Sequence, residues 1–386
     1  MPERRFPYHL MIFMIAYYLT NCMYQSYMSL YYTAIDFSSA QIGLVNAAVA
    51  LVSMAAQPLW GTVGDRTKNR GLLIALLAVA SALSAWAFGR FRTFWPLLLL
   101  ACVFSCTYTS LQPMGDSILL NHLNARDLPF GPFRLAGGLS FAVGSILFGQ
   151  LLAPEGRTLL IPAYTAVLCL LTALSTLVLP RTAGGQSRGR KMRFTELFKH
   201  RTLIRLLMFM APVQITMGYF YTFFSPHYMS LPGATSAGLG LCYFISACSE
   251  APFLIVSDRL FDRFGAGRMM CLSAATLALR WLLLGLGGSV YVAMLSQVLH
   301  GWGFIVMTVC MAKYISRDVP EELQASGQML LAIVSFGISR AFGNLAGGLL
   351  AGWMGRGNVF FACAAVCLLT LLVGGSAVWR GDKAAG

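Results

Sequence analysis

Apolar runs about as long as a bilayer crossing follow one another along the whole chain, separated by short charged or Gly/Pro-rich breaks. A spanning helix needs about 20 consecutive, mostly apolar residues. By that measure the pattern predicts twelve, at 8–33, 41–63, 71–89, 94–121, 131–153, 158–179, 203–230, 236–257, 268–287, 290–314, 323–352 and 357–379. One connection is long. It runs from Pro180 to Thr202, carries the stretch Gly-Gly-Gln-Ser-Arg-Gly-Arg and falls after the sixth run, so the chain divides six and six. The expected architecture is an all-α membrane protein of twelve transmembrane helices in two pseudo-symmetric six-helix bundles. These are residues 1–180 and 203–386, joined by a basic cytoplasmic linker at 181–202. The first run has no small-residue cleavage site behind it and is expected to remain as a helix rather than act as a signal peptide.

Composition agrees with the pattern. Of 386 residues, 57% are hydrophobic and 11% charged, too few polar groups to clothe a soluble globule. Lys and Arg outnumber the acids 28 to 14, and their placement separates a membrane protein from a nucleic-acid binder. With the N-terminus inside, twenty basic residues fall on cytoplasmic segments, among them Arg66, Lys68, Arg70, Arg126, Arg259, Arg263, Lys313 and Arg317. Four fall outside: Arg90, Arg92, Arg157 and Arg356. The positive-inside rule then places both termini in the cytoplasm and the chain in the inner (plasma) membrane. The basic linker reads as a flexible tether on an anionic leaflet, with no nucleic-acid partner. The ten cysteines lie in apolar runs without a Cys-x-x-Cys pair, and are expected to be small buried hydrophobes. No metal or cofactor is expected. Tyr31 and Tyr32, near a helix end, read as interfacial belt.

The two halves echo one another. Between the second and third runs stands Gly61-Thr-Val-Gly-Asp65-Arg66-Thr-Lys-Asn-Arg70, and between the eighth and ninth Asp262-Arg263-Phe-Gly265-Ala-Gly-Arg268. A carboxylate at a helix end, beside arginines or a neighbouring helix N-terminus, makes a polar latch that can break when a carrier reorients. Asp65, Arg66, Arg70, Asp262 and Arg263 are therefore expected to gate. The pattern G-x-x-x-D-R-x-x-x-R after the second of twelve spans resembles the signature loop of the major facilitator superfamily, with Lys68 and Asn69 where glycine and arginine are usual. Further fragments follow in order: Gln57-Pro58-Leu-Trp-Gly61, Pro113-Met-Gly-Asp116, Phe130-Gly131-Pro-Phe-Arg134, Arg280-Trp281 and Gln297-Val-Leu-His300-Gly301. Over nearly the whole chain this set resembles the oligosaccharide/proton symporters of the lactose permease type, and still more the related phenylpropionate permease group.

A charge deep in a bilayer costs roughly 2.5 to 3.5 kcal/mol on insertion scales, so each one marks a functional position. Six residues stand out: Asp116, Arg134, Glu250, Arg280, His300 and Arg340. Asp116 lies one to two turns from the cytoplasmic end of span four and Arg134 a similar depth into span five, so the two are expected to meet. The resemblance implies that this pair binds substrate and that Phe141, two turns beyond Arg134, stacks on it. Glu250, Arg280 and His300 fall near mid-depth on spans eight, nine and ten. An embedded carboxylate whose proton affinity is governed by a movable arginine can couple protons to transport. Glu250 is the expected proton carrier and Asp116 the second choice, with His300 relaying the proton or binding substrate. On span one Asn21, Tyr24 and Gln25, with Tyr17, Tyr18 and Met28, are expected to line a polar and aromatic cavity. On span seven Tyr221, with Gln214, Gly218 and Ser225, is expected to do the same. Gly343-xxx-Gly347 and Gly348-xxx-Gly352 read as helix-packing sites.

Two departures from the lactose permease pattern bear on substrate. The acid expected one turn after the histidine is Gly303 here, and the aspartates of span seven have no counterpart around Gly218 to Tyr221, although a cation persists as Arg340. Three embedded arginines then face two carboxylates. An unpaired embedded charge is expensive, so Arg340 or Arg280 is expected to meet an anionic group on the substrate. The expected function is secondary active transport by a monomer: proton-coupled symport of a small organic solute (an aromatic or other organic acid, a sugar or a nucleoside) by alternating access. Its partners are the solute, protons and the lipid bilayer. The alternative is proton-coupled antiport exporting small molecules or drugs. Superfamily exporters carry G-P-x-x-G-G in span five, where this chain has Gly137-Gly138-Leu-Ser-Phe-Ala-Val-Gly144. Walker, His-Glu-x-x-His and Gly-x-Ser-x-Gly elements are missing and the five histidines are scattered, so neither an enzyme nor an ATP-driven pump is expected.

Overall fold

A computed structural model describes residues 6–180 and 194–381. The first thirteen positions of the expected linker, 181–193, lie outside the described residues, as do Arg4, Arg5 and Lys383. Among the described residues every regular element is helical. The long helices are α1 (Met11–Ala34), α2 (Ser39–Arg66), α3 (Arg70–Phe88), α4 (Phe94–Asn124), α5 (Gly131–Leu151), α6 (Arg157–Val178) and α7 (Arg201–Met229). The stretch Ser236–Leu286 supplies α8 (236–264) and α9 (266–286). Then come α10 (Val290–Asp318), α11 (Glu321–Met354) and α12 (Arg356–Gly381).

Among the described residues, ten stretches are both long and apolar enough to cross a bilayer. The expected twelve are reached in two ways. Helix α1 has the length, at 24 residues, but its tyrosines, Asn21 and Gln25 dilute its apolarity. The 51-residue stretch Ser236–Leu286 breaks at Gly265, whose backbone (φ 76°, ψ 167°) is non-helical and open in practice only to glycine. Helix α8 consequently runs seven residues past its expected end at 257. Asp262 and Arg263, expected in a connection, stand on its last turns.

The chain packs as two compact units, one of Met1–Phe37 with Leu51–Gly189, the other of Ser38–Ala50 with Arg190–Gly386. In the first, α1 packs on α5 and α6, and α3 on α4 and α6. Hydroxyl pairs tie these helices where no water is available, as Thr20 to Thr172 at 2.9 Å and Ser81 to Thr107 at 2.8 Å. In the second, α7 packs on α11 and α12, and the α8–α9 stretch on α10 and α12. Small residues set these distances. A Cβ at Gly343 would stand 2.0 Å from the Ile215 carbonyl, and one at Gly43 would stand 2.4 Å from the Asn344 carbonyl. That second approach is why the opening turns of α2 group with α11.

Three expectations about packing change. Gly352 faces open space, so its turn of α11 is not a close crossing. Tyr31 and Tyr32 are buried, at 2% and 1% exposure, rather than interfacial. Tyr31 donates to the Phe88 carbonyl at 2.7 Å. Cys248 is exposed, and Cys102 and Cys106 are half-buried, whereas the other seven cysteines are buried as expected.

Three of the long helices are irregular. Helix α4 is interrupted between Tyr108 and Leu111. Helix α10 passes through a wide π turn at Gly301–Ile305, and α11 through another at Ile333–Ile338. Such turns are costly and concentrate where a side chain must be aimed. Here they adjoin His300 and Arg340.

Candidate functional site

The polar centre of the second unit is a chain of three side chains from three helices. Arg280 on α9 is fully buried. Its Nη1 lies 2.8 Å from His300 Nδ1 on α10, and its Nη2 donates to Gln297 Oε1 at 2.6 Å. His300 Nε2 in turn lies 3.3 Å from Glu250 Oε1 on α8. A guanidinium only donates, so Nδ1 must accept, and the imidazole carries its proton on Nε2, facing the carboxylate. Gln297 cannot turn away, because its Nε2 donates to the Ala293 carbonyl at 3.0 Å and to Ser296 Oγ at 3.1 Å. The rings of Phe220 and Trp281 cover the guanidinium, at 4.1 and 5.2 Å from their centroids.

Backbone contact brings these groups together. A Cβ at Gly301 would stand 2.0 Å from the Ser249 carbonyl, and Gly301 N donates to Ser249 Oγ at 2.9 Å. Helices α10 and α8 therefore touch at the very residues that follow His300 and precede Glu250. Gly303 faces a side chain rather than backbone: a Cβ there would lie 2.5 Å from Leu277 Cδ2. With glycine in place of an acid one turn beyond His300, Glu250 is the carboxylate of this cluster among the described residues. Its side chain is 30% exposed against 4% for His300, so Glu250 is the open end.

Arg340 stands nearby on α11, its guanidinium 4.6 Å from the Tyr221 ring and 5.0 Å from the Phe336 ring. Gly218 lets α7 close on this turn, since a Cβ there would lie 3.0 Å from Arg340 Cα. Tyr221 links the two regions, edge-on to His300 at 6.1 Å and to Phe304 at 5.8 Å.

In the first unit Asp116 Oδ2 and Arg134 Nη1 meet at 3.3 Å. Tyr18 lies beneath the guanidinium at 5.8 Å, and Gln112 Nε2 donates to the Tyr18 hydroxyl at 3.1 Å. Glycines again make the room: a Cβ at Gly137 would stand 2.7 Å from the Tyr18 ring, and one at Gly115 would stand 2.1 Å from Phe13 Cε1. The other carboxylate oxygen of Asp116, Oδ1, is buried without a partner. Tyr24 packs on Phe104 at 4.4 Å, and Asn21, Gln25 and Phe141 are half-buried. Of the residues expected to line a cavity, Tyr17, Met28, Gln214 and Ser225 are instead buried. Tyr17 stacks on Tyr108 at 5.3 Å, and Ser225 bonds the Tyr243 hydroxyl at 2.6 Å.

The duplicated charge elements both form ion pairs within their own unit. Asp65 pairs with Arg70 at the start of α3. Arg70 also donates to the Gly64 carbonyl at 3.2 Å and to Ser117 Oγ at 3.4 Å. Asp262 pairs with Arg317 on α10, and Asp258 with Lys313 at 2.6 Å and Arg317 at 3.6 Å. Arg263 is not in this network; its guanidinium lies 5.3 Å from the adjacent Phe264 ring. The pairing of Lys313 and Arg317 with Asp258 and Asp262 was not expected, although acids four apart on one helix and bases four apart on another are a visible signal in the sequence. Nor were the contacts of Gln297, one turn before His300, with Arg280 and of Gln112, one turn before Asp116, with Tyr18 expected from the sequence.

Residues 8–362 match the model of the MFS_1 like family. The maltose permease of Geobacillus stearothermophilus is 30% identical over 346 residues, which cover 87% of this chain and 86% of that one. The probable 3-phenylpropionic acid transporter of Escherichia coli (strain K12) is 27% identical over 305 residues, 77% of each chain. Among solved structures, the nucleoside transporter NupG superimposes with a TM-score of 0.81 at 18% identity, covering 97% of this chain and 99% of that one, a likeness of fold. The chain belongs to the MFS_1 like family and is a multi-pass membrane solute transporter of the major facilitator superfamily.

Proposed function

We propose that this transporter is a proton-coupled symporter that takes up a small organic solute by alternating access. The observation that carries the proposal is the Arg280–His300–Glu250 chain. Glu250, the exposed end, takes and releases the proton. Its charge state is felt at Arg280 through an imidazole whose Nε2–H points at the carboxylate and whose Nδ1 is held by the guanidinium. Displacing Arg280 frees Nδ1 and so couples the charge state of the carboxylate to the position of the arginine. Asp116 and Arg134 hold solute from the first unit, with Phe141, Asn21, Tyr24 and Gln25 as further contacts of that unit. The Asp65–Arg70 and Asp262–Arg317 pairs act as gating latches, with Arg66 and Arg263 beside them. Both termini are cytoplasmic.

The relatives' names cover a disaccharide, an aromatic acid and nucleosides, so the test screens all three classes. Proteoliposomes holding the purified protein are given an imposed pH gradient and offered maltose, 3-phenylpropionate or uridine. Inward accumulation of one of them that requires acid outside is the expected result. Accumulation driven the opposite way would establish the exporter, and uptake indifferent to the gradient would remove protons from the mechanism.

A further inference from the structure

The two embedded guanidiniums of the second unit are not equivalent. Arg280 is fully enclosed, both terminal nitrogens are engaged by His300 and Gln297, and Glu250 lies within electrostatic reach of it. No solute can approach it without dismantling that packing. Arg340 is only half-buried. Among the described residues it has neither a hydrogen-bond partner nor a carboxylate in electrostatic reach, and Tyr221 is the one ionisable group acting on it. Its Nε is buried and unpartnered, as is that of Arg280, so the two differ at their terminal nitrogens. What surrounds it instead is two aromatic rings, Tyr221 and Phe336, at 4.6 and 5.0 Å.

Rings offset part of the cost of a desolvated cation but leave its planar fork of donors unused. A fork beside two aromatic rings, with nothing to donate to, matches a carboxylate attached to an apolar body: the fork takes two oxygens and the rings take the body. The π turn at Ile333–Ile338 places Phe336 and Arg340 at this spot, and Gly218 admits the opposing helix. Resting on the transport reading above, we infer that Arg340, and not Arg280, is the anion-reading residue, and that the solute is an organic monocarboxylate with an aromatic or similarly flat apolar body.

Binding is measured on the detergent-purified full chain by thermal shift and tryptophan fluorescence, so the test needs neither a proton gradient nor reorientation. The probes are matched pairs of benzoate with benzamide, phenylacetate with phenylacetamide, and 3-phenylpropionate with 3-phenylpropionamide. Wild type is expected to bind at least one acid tenfold or more tightly than its amide. In Arg340→Gln that preference is expected to vanish, with the acid falling to the level of the amide. Arg340→Lys, which keeps the charge but loses the fork, is expected to retain part of it and serves as the readout should the glutamine variant fail to fold. A wild type that binds no acid better than its amide overturns the inference, as does a folded Arg340 variant that keeps the full preference. Either result leaves the proton-coupling proposal to stand or fall on the liposome experiment.

Discussion

Gln297 shows how much a single side chain can settle. It is fully buried, accepts from Arg280 and is itself fixed by two donations to its own helix. Gln297→Leu would leave the Arg280 Nη2 group unsatisfied in a dry interior, a loss of about 1–3 kcal/mol, expected as a clear drop in melting temperature. A variant that melts with the wild type would show that Arg280 finds another acceptor. In the first unit, Arg134→Lys keeps a positive charge near Asp116 but loses the flat face on Tyr18. An apparent KM raised about tenfold, about 1.4 kcal/mol, is expected with little change in expression, and an unchanged KM would remove the pair from solute binding. At this scale the sequence was informative about identity and less so about partnership. The cost of embedding a charge picked out Asp116, Arg134, Glu250, Arg280, His300 and Arg340 without any coordinates. Which arginine was spoken for and which was left over depended on α8, α9 and α10 bringing Glu250, Arg280 and His300 together, and no spacing within one helix records that.

At the scale of elements, glycine decides where helices touch. Gly301 and Gly352 look alike as small residues in apolar runs, yet the first lies against the Ser249 backbone and the second against nothing. Gly301→Ala forces α10 off α8 and is expected to destabilise the protein by about 1–3 kcal/mol and to uncouple transport from the pH gradient by separating His300 from Glu250. Gly352→Ala is expected to be neutral, or stabilising by up to about 1 kcal/mol as a helix-interior exchange. Paired melting curves and uptake assays check both; equal effects from the two substitutions would contradict the role given to the crossing. The twelve runs were legible because length and apolarity are local properties. The extension of α8 to 264 was not, since Asp262 reads as the charge of a connection, whereas in the fold Asp258 and Asp262 stand on α8 and pair with Lys313 and Arg317 on α10.

For the whole molecule, the charge imbalance has an electrical consequence. A carrier that admits one monoanion at Arg340 and one proton at Glu250 moves no net charge in its loaded form. Uptake is therefore expected to follow the pH gradient and to be unaffected by a potassium diffusion potential at fixed pH, and a potential-driven uptake would demand a different stoichiometry or a neutral solute. The grouping of Ser38–Ala50 with the second unit is the feature of the whole that the sequence concealed most completely. It rests on Gly43 approaching Asn344 and Gly348, residues some three hundred positions away.

The central claim, that Glu250 carries the coupled proton, is tested most directly by comparing wild type with Glu250→Gln in proteoliposomes. Two quantities are measured on the solute found in the screen: accumulation against its gradient with acid outside, and exchange at equal pH on both sides. Wild type should do both, and the variant should exchange solute while failing to accumulate it. A variant that accumulates as the wild type does would contradict the account.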